Sequence, residues 1–175
     1  MFGISTKKAA AILAAGALAT AGLLATSGAA NASAWFTTRF GPSSNPFVFV
    51  DVSGGSTGDG APIIQWSLSG DNQVWTFQSV VGSVYQIVNQ HSGKCLTTDG
   101  VAGHQLYQWN CHGTNNQLWD TALTLGSWQV YSIRSLSGNG NLYMEVAGGS
   151  GSQGAAIDLW TWNGGRNQYF APRAA

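Results

Sequence analysis

DNQVW, residues 71–75, is one of three versions of the same phrase. The chain spells NNQLW at 115–119 and RNQYF at 166–170. Each version carries Asn-Gln, one variable residue and a large aromatic. A rule that returns three times in one short chain marks a repeat, and a repeat fixes the architecture before any single element does.

Aligned on these phrases, further positions fall into phase. Trp66 lies seven residues before Gln73; Trp109 and Trp160 each lie eight before Gln117 and Gln168. Asp51 stands fifteen residues before Trp66 and Glu145 fifteen before Trp160. The middle copy has Thr97 at the equivalent position, twelve before Trp109, so that loop is three residues shorter. The units are approximately 36–80, 81–126 and 127–175.

Short β-branched or aromatic runs bounded by Gly, Ser and Asn read as strands: FVFVDV (47–52), YQIVN (85–89), WQVYSIR (128–134) and AIDLW (156–160). No amphipathic helical period follows residue 34. The expected class is all-β with pseudo-threefold symmetry. Three copies of about four strands suit a closed barrel capped by hairpins, an arrangement that removes exposed sheet edges.

The first 34 residues read differently. Lys7 and Lys8 precede an Ala- and Leu-rich run, and small residues follow at Ala30-Asn31-Ala32 and Ala32-Ser33-Ala34. This is the pattern of a secretory signal peptide cut after Ala32 or Ala34, and it predicts an extracellular protein. Residues 35–175 then form one domain, with no membrane segment in the mature form. That domain carries five basic side chains against seven acidic ones and shows no basic patch. Nucleic acid is a poor partner for it.

Cys95 and Cys111 in an exported chain predict a disulfide. It would close a loop of about 17 residues, worth on the order of 3 kcal/mol. The rival is a metal site from His91, Cys95, Cys111 and His112. Adjacent ligands at 111 and 112 suit a tetrahedral ion badly, so no metal is expected. On the repeat frame the cysteine positions correspond to Phe49 and Leu68 in the first unit and to Tyr143 and Trp162 in the third. These pairs are expected to touch. GSGSQG (149–154) satisfies a nucleotide-binding glycine pattern literally. It opens no helix and matches GGSTGDG (54–60), so it reads as a turn.

Three Gln-x-aromatic phrases in phase, each with an upstream acid or substitute, together with GSTGDGAPIIQW (55–66), resemble the ricin-type β-trefoil lectins. That family also occurs as carbohydrate-binding modules on bacterial glycosidases. The resemblance spans essentially all of residues 35–175. The last phrase departs from it, with Phe170 in place of Trp. The resemblance implies that Gln73, Gln117 and Gln168 anchor turns, and that Trp75, Trp119 and Phe170 form a shared core.

It also implies sugar-binding roles for Asp51, Trp66 and Asn72. An indole face covers the C–H face of a pyranose, a carboxylate accepts from adjacent hydroxyls, and an amide donates and accepts. Ile64 replaces the family's usual Gln two residues before the aromatic. With Gln73, these residues make the first candidate site. Glu145, Asp158, Trp160, Asn167 and Gln168 make the second. In the middle unit, Trp109, Asn116, Tyr107 and His104 surround Thr97 in place of the acid, with Asp99 nearby, and a weak or dead site is expected.

The expected function is non-catalytic binding of neutral sugars, in galactose- or xylose-containing glycans or polysaccharides. The protein should be a monomer without cofactors. A glycosidase reading of Glu145 and Asp158 is disfavoured, because both fall on ligand positions of one shallow unit and no catalytic domain accompanies them. The alternative is a trefoil that binds a protein partner, such as a hydrolase it inhibits.

Overall fold

The computed structural model describes residues 35–124 and 129–173. The segment read as a signal peptide lies outside the described residues. Among the described residues twelve strands follow one another in three groups of four. The first unit supplies β1 (Trp35–Pro42), β2 (Val48–Val52), β3 (Ile63–Ser67) and β4 (Trp75–Val81). The second supplies β5 (Val84–Asn89), β6 (Cys95–Thr97), β7 (Tyr107–Trp109) and β8 (Leu118–Thr124). The third supplies β9 (Val130–Ser135), β10 (Leu142–Val146), β11 (Ile157–Thr161) and β12 (Phe170–Arg173).

Six of these strands close a ring of antiparallel pairs. β1 pairs with β4, β4 with β5, β5 with β8, β8 with β9, β9 with β12, and β12 returns to β1. The remaining strands form hairpins β2–β3, β6–β7 and β10–β11. The protein is a β-trefoil. Each of these six strands therefore has a partner on both sides, which covers the edges that an open sheet would expose.

The predicted strand bounds shift slightly. FVFVDV starts at Val48, because Phe47 is turned out to solvent. AIDLW becomes Ile157–Thr161, while Ala156 makes a lone bridge to Ile64. The described part of WQVYSIR begins its strand at Val130. The short strands β6 and β7, three residues each, lack the length that would mark them in sequence.

The core lies where the three units meet. Trp75, Trp119 and Phe170 are fully buried there, one from each unit. Phe40 meets Trp75, Phe77 and Phe170 edge to face, with centroids 6.2, 5.3 and 6.1 Å apart. Two indoles also bind barrel to cap. Trp75 Nε1 donates to Val50 O at 3.0 Å, and Trp119 Nε1 to Leu96 O at 3.1 Å. Phe170 has no such donor.

The repeated Asn-Gln pair has a local cause. Asp71–Gln73, Asn115–Gln117 and Arg166–Gln168 are single 3-10 turns just ahead of β4, β8 and β12. Each Gln is fully buried, and its Oε1 accepts a backbone N–H from the loop it closes: Ser69 at 2.9 Å, His112 at 2.8 Å and Asn163 at 2.8 Å. Each Nε2 donates to a carbonyl of the same loop: Ser67, Asn110 and Thr161. One side chain thereby satisfies both kinds of orphaned backbone group.

Cys95 and Cys111 form a disulfide, with Cα atoms 5.1 Å apart. At the same place in the third unit Tyr143 and Trp162 pack with centroids 4.8 Å apart. In the first unit Leu68 stays exposed, and Phe49 carries the Arg173 guanidinium 5.1 Å from its ring centre.

Candidate functional site

The sites are built on the cap hairpins, and strand register decides their chemistry. Asp51 faces Ile64 across β2–β3, Thr97 faces Tyr107 across β6–β7, and Glu145 faces Asp158 across β10–β11. The exposed indole comes two residues after each facing position: Trp66, Trp109 and Trp160, between 39 and 44 % exposed. The fully buried Trp75 and Trp119 contrast with them. The aromatics on the repeat frame therefore sort into two physical classes, three half-covered on the cap hairpins and two in the core beside Phe170.

In the first unit Asp51, Ile64, Trp66 and Asn72 line a cleft of about 410 Å³. Gln73 is placed behind it. Its Nε2 donates to Asp51 Oδ2 at 2.7 Å, and Ser69 Oγ reaches the same oxygen at 3.4 Å. Asn72 Nδ2 donates to Val52 O at 3.0 Å, which fixes the amide at the cleft wall. Burial raises the Asp51 carboxyl above its ordinary value, against the opposing bonds from Gln73, Asn72 and Ser69.

The third unit repeats this construction. Glu145, Asp158, Trp160 and Asn167 line a cleft of about 440 Å³, with Asn163 beside them. Gln168 Nε2 donates to Glu145 Oε2 at 2.9 Å from a buried position, and Asn167 Nδ2 to Val146 O at 3.2 Å. Asp158 is the departure. It is 7 % exposed, and its Oδ1 is buried without a hydrogen-bond partner. Burial, and then the charge of Glu145, push its pKa up to about 6. Burial also raises Glu145, opposed by bonds from Gln168, Asn167 and the Gly148 N–H.

The acids enter their clefts on matching turns. Ser53–Gly55 and Ala147–Gly149 are 3-10 turns directly after β2 and β10. Gly54, Gly55, Gly148 and Gly149 have φ between 58 and 66°, a left-handed region that other residues enter at a cost. Their backbone borders the clefts.

The middle unit lacks this turn and the acid. Thr97 is fully buried, its hydroxyl donating to Cys95 O at 2.8 Å and accepting from Gln117 Nε2 at 3.1 Å. Nearby His104 Nδ1 and Asp99 Oδ2 are 2.7 Å apart, so those side chains are paired with each other. Among the described residues no group of three His, Cys, Asp or Glu is arranged to hold a metal ion.

Each exposed indole leans on a neighbouring unit, which sequence reading did not find. A Cβ added at Gly154 would lie 3.5 Å from Trp66 Cζ3, one at Gly60 3.9 Å from Trp109 Cζ3, and one at Gly103 3.1 Å from Trp160 Cζ3. The residue before Trp66 and the residue before Trp109 make the matching link. Gln65 Nε2 donates to Ser150 O and Ser152 O, and Gln108 Nε2 to Ser56 O and Gly58 O. The only available signal was Gln at both 65 and 108, one place before a Trp, with glycine recurring at 60, 103 and 154.

Similarity to known proteins agrees with this construction. A designed threefold-symmetric protein, ThreeFoil, superposes with a TM-score of 0.73 at 29 % identity, over 79 % of this chain and 99 % of its own. An exo-β-1,3-galactanase from Clostridium thermocellum gives 0.72 at 28 % identity over 79 % of this chain, which spans 30 % of that enzyme. A ricin B-like lectin from Macrolepiota procera, solved with lactose, gives 0.65 at 22 % identity over 80 % of this chain and 96 % of its own, a likeness of fold. Comparison with curated proteins gives no match. The family model described as ricin-type β-trefoil lectin domain-like matches residues 71–160, from the first Gln phrase to the indole of the third cleft. With that match over just over half of the chain, and with the barrel, hairpin caps and repeated Gln anchors that frame it, the chain belongs to the ricin-type β-trefoil lectin domain-like family.

Proposed function

We propose that this protein is a carbohydrate-binding lectin that is exported by residues 1–34 and carries out no catalysis. Its principal ligands are neutral sugars in galactose- or xylose-containing glycans, taken up by the first cleft. The third cleft is a second site, and the middle unit serves stability. The reading rests above all on one observation. In the first unit a half-exposed indole, Trp66, stands beside a carboxylate whose far side is held by Gln73. Such a carboxylate is oriented before ligand arrives, so less ordering cost falls on binding.

Shallow single clefts predict weak binding, around millimolar or about −4 kcal/mol each. Two clefts on one rigid barrel would gain avidity on a polymer. Tryptophan fluorescence tests this with galactose, lactose, xylo-oligosaccharides and soluble xylan. A saturable response that disappears in Trp66→Ala is the expected result. No response from folded protein would overturn the reading and favour a protein partner. Release of reducing sugar from any of these ligands would overturn its non-catalytic part.

A further inference from the structure

The third cleft differs from the first at one decisive position. Where Ile64 faces Asp51, Asp158 faces Glu145, so two carboxyls stand side by side on paired strands. The Asp158 carboxyl is more than nine-tenths buried, yet Oδ1 has no partner. A buried acceptor left unpaired is costly, and a native structure seldom keeps one without a use.

Among the described residues no cation answers this pair. The cleft is lined by carboxyl, amide, glycine and indole groups. Neighbouring charges are engaged elsewhere. Arg134 on β9 bonds Asp120 at 2.6 Å, and Arg166 on the turn before β12 donates to Ser43 O at 3.1 Å. On the second-unit loop that packs against β11, His104 is paired with Asp99 at 2.7 Å. Tyr143 on β10 packs against Trp162.

Building on the lectin reading, we propose that the third cleft takes an amino sugar, a hexose carrying a free protonated amine. The ammonium is received by Glu145 and Asp158, and the pyranose ring lies on Trp160. An ammonium offers three donors and the opposite charge, whereas a hydroxyl offers one donor and none. From the cleft side it offers charge-assisted donors to the carboxyl pair and relieves the repulsion between the two carboxylates. The exposed face of Trp160 attracts a cation through its quadrupole. A bare calcium ion fits less well, since it requires six to eight oxygen ligands. The chain would thus carry one cleft for neutral sugar and one for cationic sugar, suited to partly deacetylated polymers.

The test uses purified protein carrying Trp66→Ala, which silences the first cleft. Fluorescence titrations compare galactosamine and glucosamine with galactose and glucose at pH 7 and pH 4.5. At pH 7 an amino sugar should bind about tenfold tighter than its hydroxyl counterpart, a reasonable gain for charge-assisted hydrogen bonds. The preference should collapse at pH 4.5, where Asp158 is protonated while the amine stays charged. Asp158→Asn and Asp158→Ile should each remove it at pH 7. Equal affinities at pH 7 would overturn the inference. So would a preference that survives both substitutions, or saturable binding of calcium chloride in the absence of sugar. Wild-type protein that answers neutral sugars while the amine preference is absent leaves the lectin reading standing and sinks this one. Silence toward every sugar from folded protein removes both.

Discussion

Asp158→Asn should stabilise the protein at neutral pH, and the gain should vanish in acid. The folded-state pKa of Asp158 lies near 6, against an ordinary value of 3.8. The folded state therefore binds this proton more tightly than the unfolded state does. Stability from this group is fully present below about pH 4 and is lost as pH rises through 6. The shift corresponds to about 3 kcal/mol at 1.36 kcal/mol per pH unit. Asn keeps the shape, removes the charge, and provides an amide donor beside Glu145. In a domain of this size that energy amounts to roughly 6–12 °C in Tm. The assay is thermal melting of both proteins from pH 3.5 to 8. The variant's advantage should grow between pH 4 and 6 and stay level above. Subtracting wild type cancels the ionisable groups that both proteins share away from the third cleft. A difference that is flat with pH, or a variant less stable than wild type at pH 7.5, would refute the account of a strained, partnerless carboxylate.

Three further outcomes follow from the packing. Trp75→Ala should cost roughly 3–5 kcal/mol, because it removes a buried indole and its bond to Val50 O; chemical denaturation should show it far less stable than Trp66→Ala, and equal losses would undo the division of the aromatics. Arg173 donates to the carbonyls of Pro42, Asn45, Pro46 and Val48, stapling the last strand to the β1–β2 loop. Arg173→Ala should therefore cost about 3 kcal/mol by the same measurement. Gly103 has φ near 80°, and a Cβ there would press on Trp160; Gly103→Ala should weaken ligand binding at the third cleft in titrations while leaving the Trp66-dependent signal in place.

The Gln phrases disclosed the threefold plan because one buried amide does the same work three times, and that work tolerates little variation. The acid and indole positions were legible for the same reason. Gln73 and Gln168, counted among sugar contacts from sequence, occupy buried places behind Asp51 and Glu145 instead. Sequence spacing gave their neighbourhood but not the direction of their side chains. The links between units were illegible because they join residues far apart in the chain, as Gln65 joins Ser150 and Ser152. The strand β6 was hidden by its brevity, and Asp158's missing partner became visible only once its surroundings were in place.

The shortened loop of the middle unit ties several substitutions into one. Backbone links run round the threefold axis: Gly60 N donates to Gln108 O, Gly154 N to Gln65 O, and Gly103 N to Leu159 O. In the first two links the loop is long and exposes carbonyls, and Gln65 and Gln108 satisfy them. In the third the loop has lost three residues. The residue facing it is Leu159, fully buried and apolar. A Gln at 159 would bring a buried amide to a loop three residues shorter, and each unpaired polar group left there would cost about 1–3 kcal/mol. The same shortening removes the glycine turn that frames an acid in the other units, and Thr97 spends its hydroxyl on Cys95 O and Gln117. A disulfide then secures the hairpin. Loss of the acid, the apolar residue at 159 and the crosslink at Cys95 thus have a common structural setting. They leave one unit without the acid that lines the other two clefts, while Gly103, on its loop, still supports the Trp160 of the next.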